Sequence, residues 1–157
     1  MDIDKIVGVM YSGVRPGEDQ QVLELLAACG LGHGDITAQK LRHFVVARRG
    51  EEIVGAVGLE ISGGDALLRS VAVAEGYRRR GVGRSLVEAA ERHALSMGVA
   101  HIYLLTLTAE AFFAALGYRP AERDSAPAGI RRTTEFQCCC PDTAVCLHKP
   151  LAPPAAQ

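Results

Sequence analysis

Tryptophan is absent from this chain of 157 residues, and only four tyrosines and four phenylalanines supply its aromatic rings. So few rings argue against an aromatic platform on which nucleic-acid bases would stack. The formal net charge is −1, so no overall basic field attracts nucleic acid or an acidic membrane surface. We therefore expect neither nucleic acid nor a membrane among the partners.

Long hydrophobic runs are also lacking at the start of the chain. The first residues, Met1 to Lys5, contain no extended apolar stretch, so the sequence predicts neither a signal peptide nor a transmembrane segment. The five cysteines are an odd number, and Cys138, Cys139 and Cys140 are adjacent. Without an export signal, we expect reduced thiols and a cytoplasmic location.

The composition that remains is ordinary for a globular protein, with 48% hydrophobic and 22% charged residues. A chain of this length builds a core without disulfides, and we expect a single domain over residues 1–149. The last residues, 150–157, are rich in proline and alanine and predict a disordered tail.

Apolar periodicity and turn residues predict the order of the elements. Strands are predicted over 5–14, 44–47, 53–59, 66–73, 102–107 and 144–148. Helices are predicted over 16–29, 36–42, 81–97 and 110–116, with Asp35 capping the second and a Glu88–Arg92 pair on the third. This order indicates an α/β fold with a single mixed, mostly antiparallel sheet and helices on both faces.

Three arginines and two glycines stand between the fourth predicted strand and the long helix, as Arg78-Arg79-Arg80-Gly81-Val82-Gly83. A strand that turns on glycines into a helix leaves backbone N–H groups pointing one way. With the helix dipole and the guanidiniums, these donors predict a site for a multiply charged anion such as pyrophosphate. A Rossmann fingerprint would need glycine at Leu86, and a Walker loop would need Gly-Lys-Ser/Thr, so neither fits.

The pattern Arg78-x-x-Gly81-x-Gly83, followed later by a helix ending in Leu116-Gly117-Tyr118, resembles the GNAT N-acetyltransferase superfamily. A narrower resemblance points to the arsenic-resistance N-acetyltransferase subgroup. It rests on Gly58-Leu59-Glu60, the stretch 67–73, Tyr103 to Thr106, Ala109-Glu110-x-Phe112-Phe113 and Cys140-Pro141.

The resemblance implies that acetyl-CoA is the co-substrate, with no metal, and that a small-molecule amine is the acceptor. It assigns the pantetheine arm to the strand residues Val71, Ala72 and Val73, through main-chain bonds at Val71 and Val73. The pyrophosphate is assigned to the main-chain amides of Arg79, Arg80, Gly81, Val82, Gly83 and Arg84, with Arg78 beginning the motif. Homodimers are common among proteins that this chain resembles.

Acetyl transfer needs a neutral amine as the nucleophile and surroundings that stabilise the thiolate as it leaves. Glu60, at the end of an apolar strand, is our candidate base, and a solvated strand-end carboxylate is the alternative. The family often protonates the thiolate with a tyrosine at the position of Phe113, which we assign to the cofactor pocket although it has no proton to give. Tyr103 is then the candidate acid, with Tyr118, Thr106 and Thr108 as other polar groups nearby in sequence.

Arg69 is charged within an otherwise apolar strand. It is predicted either to clamp an anionic group of the acceptor, a carboxylate or an arsinate, or to form an ion pair with Glu60 or Asp65. His33 and Thr106 are predicted to line the acceptor pocket, although a loop histidine such as His33 is also typical of an ordinary surface.

Three functions from different classes are therefore open. The leading one is an acetyl-CoA-dependent N-acetyltransferase that acts on an amino-acid-like arsenical or a related antimetabolite. The second is a non-catalytic CoA-binding module, which Phe113 favours. The third is a metalloid-binding protein that uses Cys138–Cys140, although adjacent strand residues point to opposite faces and cannot all bind one ion without a turn.

Overall fold

The computed structural model describes residues 7–139 and 143–151. The strands are β1 (Val9–Gly13), β2 (Val45–Arg49), β3 (Glu52–Ser62), β4 (Asp65–Val73), β5 (His101–Thr106), β6 (Arg119–Pro120) and β7 (Val145–Pro150). The α-helices are α1 (Asp19–Ala28), α2 (Ala38–Leu41), α3 (Val82–Ser96), α4 (Glu110–Ala115) and α5 (Ala128–Arg131). Short 3₁₀ turns span Glu75–Tyr77 and Arg123–Ser125, and a π-helical turn spans Glu135–Cys139.

The seven strands form one sheet in the order β1-β2-β3-β4-β5-β7-β6. Pairing is antiparallel between β1 and β2, β2 and β3, β5 and β7, and β6 and β7. β4 and β5 are parallel over Asp65–Leu67, and α3 lies in the connection that such a parallel pair requires. The predicted mixed, mostly antiparallel sheet is therefore confirmed.

The chain divides into two compact units. Unit 1 comprises Met1–Leu59 and Ser70–Arg92, and unit 2 comprises Glu60–Arg69 and His93–Gln157. The single domain over 1–149 stays a prediction.

The core of unit 1 is an apolar cluster that joins α1, β2 and β3. Its largest buried members are Val22, Leu26, Leu41, Phe44, Val46 and Ile53. Gly55 is required in β3, because a Cβ there would lie 2.8 Å from Cδ1 of Leu86 and 3.2 Å from the carbonyl oxygen of Ala72. The glycine therefore lets α3 approach the strand.

A buried ion pair ties the start of α1 to the sheet of unit 1. Arg48 is 2% exposed and donates from Nε and Nη2 to the two carboxylate oxygens of Glu18, at 2.8 and 2.6 Å. Its Nη1 donates to the hydroxyl of Ser12 at 2.7 Å. The hydrogen bonds from Arg48 hold the pKa of Glu18 below its ordinary value against the opposing effect of burial.

The core of unit 2 includes a smaller cluster formed by Leu67, Ala126 and Ile130, against which Tyr103 and Phe136 pack. Ile130 belongs to α5, so its packing on Leu67 and Ala126 holds the segment between β6 and β7 against the core of unit 2. The sequence predicted no element in this segment, and the prediction is corrected by β6, α5 and the two short turns there.

Several predicted boundaries and contacts change. Thr37, and not Asp35, caps α2, because its Oγ1 accepts from the amide of Lys40 at 3.2 Å. Asp35 forms an ion pair with the Lys40 ammonium at 2.8 Å. Glu88 pairs with Arg84, one turn earlier, and not with the predicted Arg92.

The two ends of the chain also differ from the predictions. Within the described residues the first strand spans Val9–Gly13, and residues 5 and 6 of its predicted range lie outside them; the last strand extends to Pro150. Leu151 is buried, so Pro150 and Leu151 do not belong to the predicted tail, whose remainder lies outside the described residues. No helix in the described ranges is long and apolar enough to cross a membrane.

Candidate functional site

The loop that enters α3 adopts an unusual backbone conformation. Arg79 has φ 64° and Gly81 has φ 85°, whereas Arg80 between them has a negative φ. A left-handed conformation at a residue with a side chain costs about 1–2 kcal/mol, and such strain clusters at functional sites. Alternation of left-handed and right-handed residues turns successive N–H groups toward one point, which is the geometry of an anion-binding nest.

The first turn of α3 presents backbone donors. Within residues 7–139 and 143–151, no backbone carbonyl accepts from the amides of Val82, Gly83 or Arg84, and the first helical bond runs from Ser85 to the carbonyl of Gly81 at 3.0 Å. These amides and the positive end of the helix dipole suit a phosphate or pyrophosphate group. The residues of the predicted cofactor loop thus fit the diphosphate of CoA.

Arg78 contacts the strand that precedes the loop. Its Nε donates to the carbonyl oxygen of Val73 at 2.8 Å, and its Nη2 lies 3.6 Å from Sγ of Cys29. The Cys29 thiol also lies 3.7 Å from the Val73 carbonyl oxygen. Arg78 therefore supports β4, and the carbonyl of Val73, to which the sequence assigned the pantetheine arm, already accepts a bond from the protein.

The other residues of the predicted loop differ in exposure. The side chains of Arg79 and Arg84 are exposed, and Arg84 lies 3.4 Å from the carboxylate of Glu88. Arg80 is half-buried and Ala72 is buried. The exposed guanidiniums of Arg79 and Arg84 add positive charge to the end of α3 that already carries the dipole.

In unit 2, the candidate base Glu60 belongs to a network of three charged side chains. Nη1 of Arg69 donates to Oε2 of Glu60 at 2.7 Å, and Nη2 lies 3.5 Å from Oε1 of Glu135. The Arg69 side chain is only 1% exposed. Of the two interpretations of Arg69, the structure therefore favours the ion pair with Glu60, and Glu135 is a second partner that the sequence did not suggest.

Tyr103 is half-buried and packs against the core of unit 2. Its ring centroid lies 4.7 Å from that of His148, and the ring contacts the cluster around Leu67 and Ile130. Burial, with added repulsion from Asp65 and the Cys146 thiol, raises the pKa of Tyr103. Because an ordinary thiol has a pKa of about 8.5, proton transfer to its thiolate from a phenol whose pKa exceeds 10 is uphill. The surroundings of Tyr103 thus favour packing over acid catalysis.

A histidine pair lies beside this tyrosine and was not anticipated. Nδ1 of His101 and Nε2 of His148 are 2.9 Å apart, and the two rings are stacked with centroids 5.1 Å apart. Burial and the charge of His101 lower the pKa of His148, opposed by Asp65. The two ring nitrogens are thus at hydrogen-bond distance, and which of them donates depends on the tautomer of each ring.

The segment from β5 to α4 holds the remaining predicted residues. Phe113 is buried, and its ring packs edge-to-face on Tyr118 with centroids 5.5 Å apart. Its side chain therefore lies in the core of unit 2, and its assignment to the cofactor pocket stays a prediction. Thr106 accepts from the amide of Ala109 at 3.0 Å through Oγ1, which positions the start of α4.

His33 lies half-buried in the loop between α1 and α2, and its carbonyl accepts from the amide of Ile36 at 3.0 Å. Its role in the acceptor pocket stays a prediction. In the predicted triple-cysteine site, Cys140 and the side chains of Cys138 and Cys139 lie outside what the structure describes. Among the residues that it does describe, no cluster of three or more His, Cys, Asp or Glu side chains is arranged to hold a metal ion.

An open cavity of about 360 Å³ lies in unit 2 beside the candidate base. It is lined by Glu60, Ile61, Ser62, Gly129, Arg132 and Thr133. Sequence reasoning identified only Glu60 among these residues, because the segment 119–135 carries no motif. The one available signal was Gly129, a glycine beside the apolar Ile130 and the basic pair Arg131-Arg132.

The family model described as an acetyltransferase (GNAT) domain matches residues 40–120. An uncharacterized N-acetyltransferase of Chlorobaculum tepidum is 35% identical over 95 residues, which are 60% of this chain and 61% of that protein. The chain therefore spans about three fifths of the length of this curated relative.

Solved structures share the fold. N-acetylglutamate synthase from Neisseria gonorrhoeae, complexed with coenzyme A and N-acetyl-glutamate, superposes with a TM-score of 0.80 and 15% identity, covering 92% of this chain and 35% of that one. The protein Rv2747 from Mycobacterium tuberculosis, in complex with CoA, has a TM-score of 0.76 and 17% identity, covering 91% and 99%. At these identities the likeness is one of fold.

Proposed function

Because the chain belongs to the GNAT acetyltransferase family, we propose that it is an acetyl-CoA-dependent N-acetyltransferase that acts on the amine of a small molecule. The observation that carries this proposal is the first turn of α3, where the amides of Val82, Gly83 and Arg84 donate to no described backbone carbonyl. A diphosphate is the group that such a turn, preceded by a left-handed Arg79 and Gly81, is suited to bind.

When bound, acetyl-CoA supplies the acetyl thioester. The amides at the start of α3 hold its diphosphate, and the exposed guanidiniums of Arg79 and Arg84 add charge complementarity. Arg78 bonds to the carbonyl of Val73 and so fixes the end of β4. The main chain of Val71 and Val73, which is proposed to bind the pantetheine arm, is thereby held in one orientation. These residues all belong to unit 1.

Glu60 is proposed to take the proton of the acceptor ammonium, directly or through a water molecule. Its ion pair with the buried Arg69 restricts the carboxylate to one orientation. For an α-amine of pKa about 7.7–8.0, roughly a tenth is already neutral at pH 7, so the base supplies only about 1–1.5 kcal/mol. A carboxylate is sufficient for that task, whereas a lysine amine of pKa about 10.4 would demand far more.

The thiolate is proposed to leave without a dedicated acid. Phe113 has no proton to give, and the raised pKa of Tyr103 makes that phenol a poor donor. A thiol of pKa about 8.5 leaves as thiolate at pH 7 at a cost of roughly 2 kcal/mol. That cost slows the transfer without preventing it.

We propose that the acceptor is an amino acid, and that within this class it is an arsinate-bearing amino acid or a related antimetabolite. The resemblance of Gly58-Leu59-Glu60 and of the stretch 67–73 to arsenic-resistance acetyltransferases supports the arsenical. The amino-acid class agrees with the N-acetyl-glutamate found in the structurally similar synthase. The setting proposed is the cytoplasm, where free thiols such as Cys29 and Cys146 stay reduced.

A non-catalytic CoA-binding module is the second candidate, and Phe113 favours it because phenylalanine has no proton to give to a departing thiolate. Such a module would bind CoA and never release thiol. The metalloid-binding alternative at Cys138–Cys140 predicts instead that replacing all three with serine abolishes arsenic binding, whereas the acetyltransferase would be largely indifferent.

The direct test is thiol release from acetyl-CoA, measured across amino acids that carry arsinate, phosphinate or carboxylate groups, with CoA affinity measured beside it. Turnover with at least one amine supports the enzyme. CoA binding with no thiol release from any acceptor supports the module. Absence of both CoA binding and turnover contradicts the proposed function altogether.

A further inference from the structure

The cavity of unit 2 lies where α5 closely approaches the end of β3. A Cβ at Gly129 would collide with Ser62, whose own Cβ would lie 2.8 Å away. Glycine therefore lets α5 lie against the end of β3. Arg132, at the C-terminal end of α5, and Glu60, in β3, consequently line one cavity.

The wall formed by β3 is acidic. Glu60 is the acidic group that lines it. Behind the lining, Glu60 and Glu135 share the guanidinium of Arg69, so one arginine faces two carboxylates. Arg69 is buried and directed to these two carboxylates, so it positions Glu60. Arg132, unlike Arg69, lines the cavity, and the clamp role of Arg69 stays a prediction.

The wall formed by α5 is basic. Arg132 is exposed, and its Nε donates to the carbonyl of Ala128 in the same helix at 3.2 Å. Within the described ranges, no carboxylate lies within ion-pair distance of its guanidinium. The hydroxyl of Thr133 already donates to the carbonyl of Ile130 at 2.6 Å, so Arg132 and Ser62 remain as the polar groups that can turn to a ligand.

We propose that this cavity binds a small zwitterionic acceptor, with its anionic group on Arg132 and Ser62 and its ammonium group on Glu60. The inference rests on the proposed function and specifies which residues recognise the acceptor. A guanidinium pairs in bidentate fashion with planar or tetrahedral oxyanions, so carboxylate, phosphinate and arsinate groups all suit Arg132. A neutral amine without an oxyanion would leave this arginine unused.

The test compares Arg132→Gln with Arg131→Gln. Both changes remove one exposed guanidinium from neighbouring positions, but Arg131 does not line the cavity and instead donates to the carbonyl of Ala126 at 2.8 Å. Calorimetric binding of an amino acid that carries a methylphosphinate group is measured with the wild type and both variants. CoA affinity and melting temperature are recorded for each protein.

We expect Arg132→Gln to weaken binding of the phosphinate amino acid by at least tenfold, and Arg131→Gln to change it by less than twofold. In turnover assays, the KM of that acceptor should rise by a similar factor, while the KM of a primary amine without an acidic group stays the same. CoA affinity should be equal in all three proteins. An equal loss in both arginine variants, or no loss in either, overturns the proposal.

The outcomes for the two proposals can be told apart. If the wild type binds CoA and the phosphinate amino acid but releases no thiol, the proposed enzymatic function fails while the cavity remains an acceptor site. If thiol is released with amino acids but Arg132→Gln leaves their KM unchanged, the enzyme stands and the cavity assignment is wrong.

Discussion

Nε of Arg78 donates to the main-chain carbonyl of Val73 at 2.8 Å. The first residue of the Arg-x-x-Gly-x-Gly pattern thus bonds to the strand before the loop. Because the same guanidinium lies 3.6 Å from Sγ of Cys29, it also joins the end of α1 to β4. The loop, the strand end and α1 are held together by one side chain.

Arg78→Ala is expected to weaken CoA binding by roughly fivefold, since one hydrogen bond that orients β4 is worth about 1 kcal/mol. Arg92→Ala, an exposed change of equal charge on α3, is the control and should leave CoA affinity unchanged. Calorimetric titration with CoA measures both. Equal affinities for the two variants would show that the bond to Val73 has no role in binding.

Gly81→Ala separates backbone strain from cofactor binding. Gly81 has φ 85° with nothing within 4 Å of a Cβ, and Gly50 in the β2–β3 turn has φ 62° with equally open space. Alanine at either position costs about 1–2 kcal/mol of stability. Only Gly81→Ala should also weaken CoA binding, by about tenfold, because the strained loop relaxes away from the nest geometry. Unchanged CoA affinity in Gly81→Ala would contradict this.

Periodicity and turn residues predicted most of the strands and the long helix, because these elements bury an apolar face that is visible in the sequence. The segment between β6 and β7 was missed for a physical reason. Its order comes from Ala126 and Ile130 packing on Leu67, and that contact joins residues about sixty positions apart. Arg132 and Glu135 were missed for the same reason, because they are distant in sequence from the residues they approach. Glu135 lies near Arg69, and Arg132 lines a cavity with Glu60, only in the folded chain.

The turn into α3 was predictable because its determinants are local, with the arginines, the glycines and the helix start contiguous in sequence. That this loop binds the cofactor stays a proposal. Arg69 was left open between a clamp and an ion pair; the structure shows the ion pair with Glu60, and the clamp role stays a prediction. The direction of the Arg78 side chain could not be read from the sequence, since it depends on where β4 ends relative to α1.

Phe113→Tyr tests whether the missing tyrosine would help the proposed acetyl transfer. Phe113 is 6% exposed and Phe112 is 37% exposed, so the new hydroxyl is buried only at position 113. Burying an unpaired hydroxyl costs about 1–3 kcal/mol. We expect a lower melting temperature with no gain in kcat, whereas Phe112→Tyr leaves the melting temperature unchanged. A higher kcat for Phe113→Tyr would place residue 113 beside the departing thiolate.

The buried ion pair of Glu18 and Arg48 should make the stability of the protein sensitive to acid. The bonds from Arg48 lower the pKa of Glu18, so the ion pair contributes stability that is fully present above the ordinary carboxyl pKa of 4.5 and is lost as the pH falls through the folded value. At pH 7 the free energy of unfolding of Glu18→Gln should be about 3–5 kcal/mol lower than that of the wild type, because the variant leaves the Arg48 charge buried without its partner.

Denaturant unfolding of both proteins from pH 7 to pH 3 measures the effect. Below pH 4.5 the stability of the wild type should fall more steeply than that of Glu18→Gln. Parallel pH profiles would mean that the ion pair does not set the acid sensitivity.

The central claim is that the amides at the start of α3 bind the diphosphate of CoA. Amide chemical shifts of Val82, Gly83 and Arg84, followed by NMR during titration with CoA and with pantetheine, which lacks the diphosphate, test it most directly. We predict large shifts of these three amides with CoA and none with pantetheine. Saturable CoA binding that leaves the three amides unshifted would contradict the account.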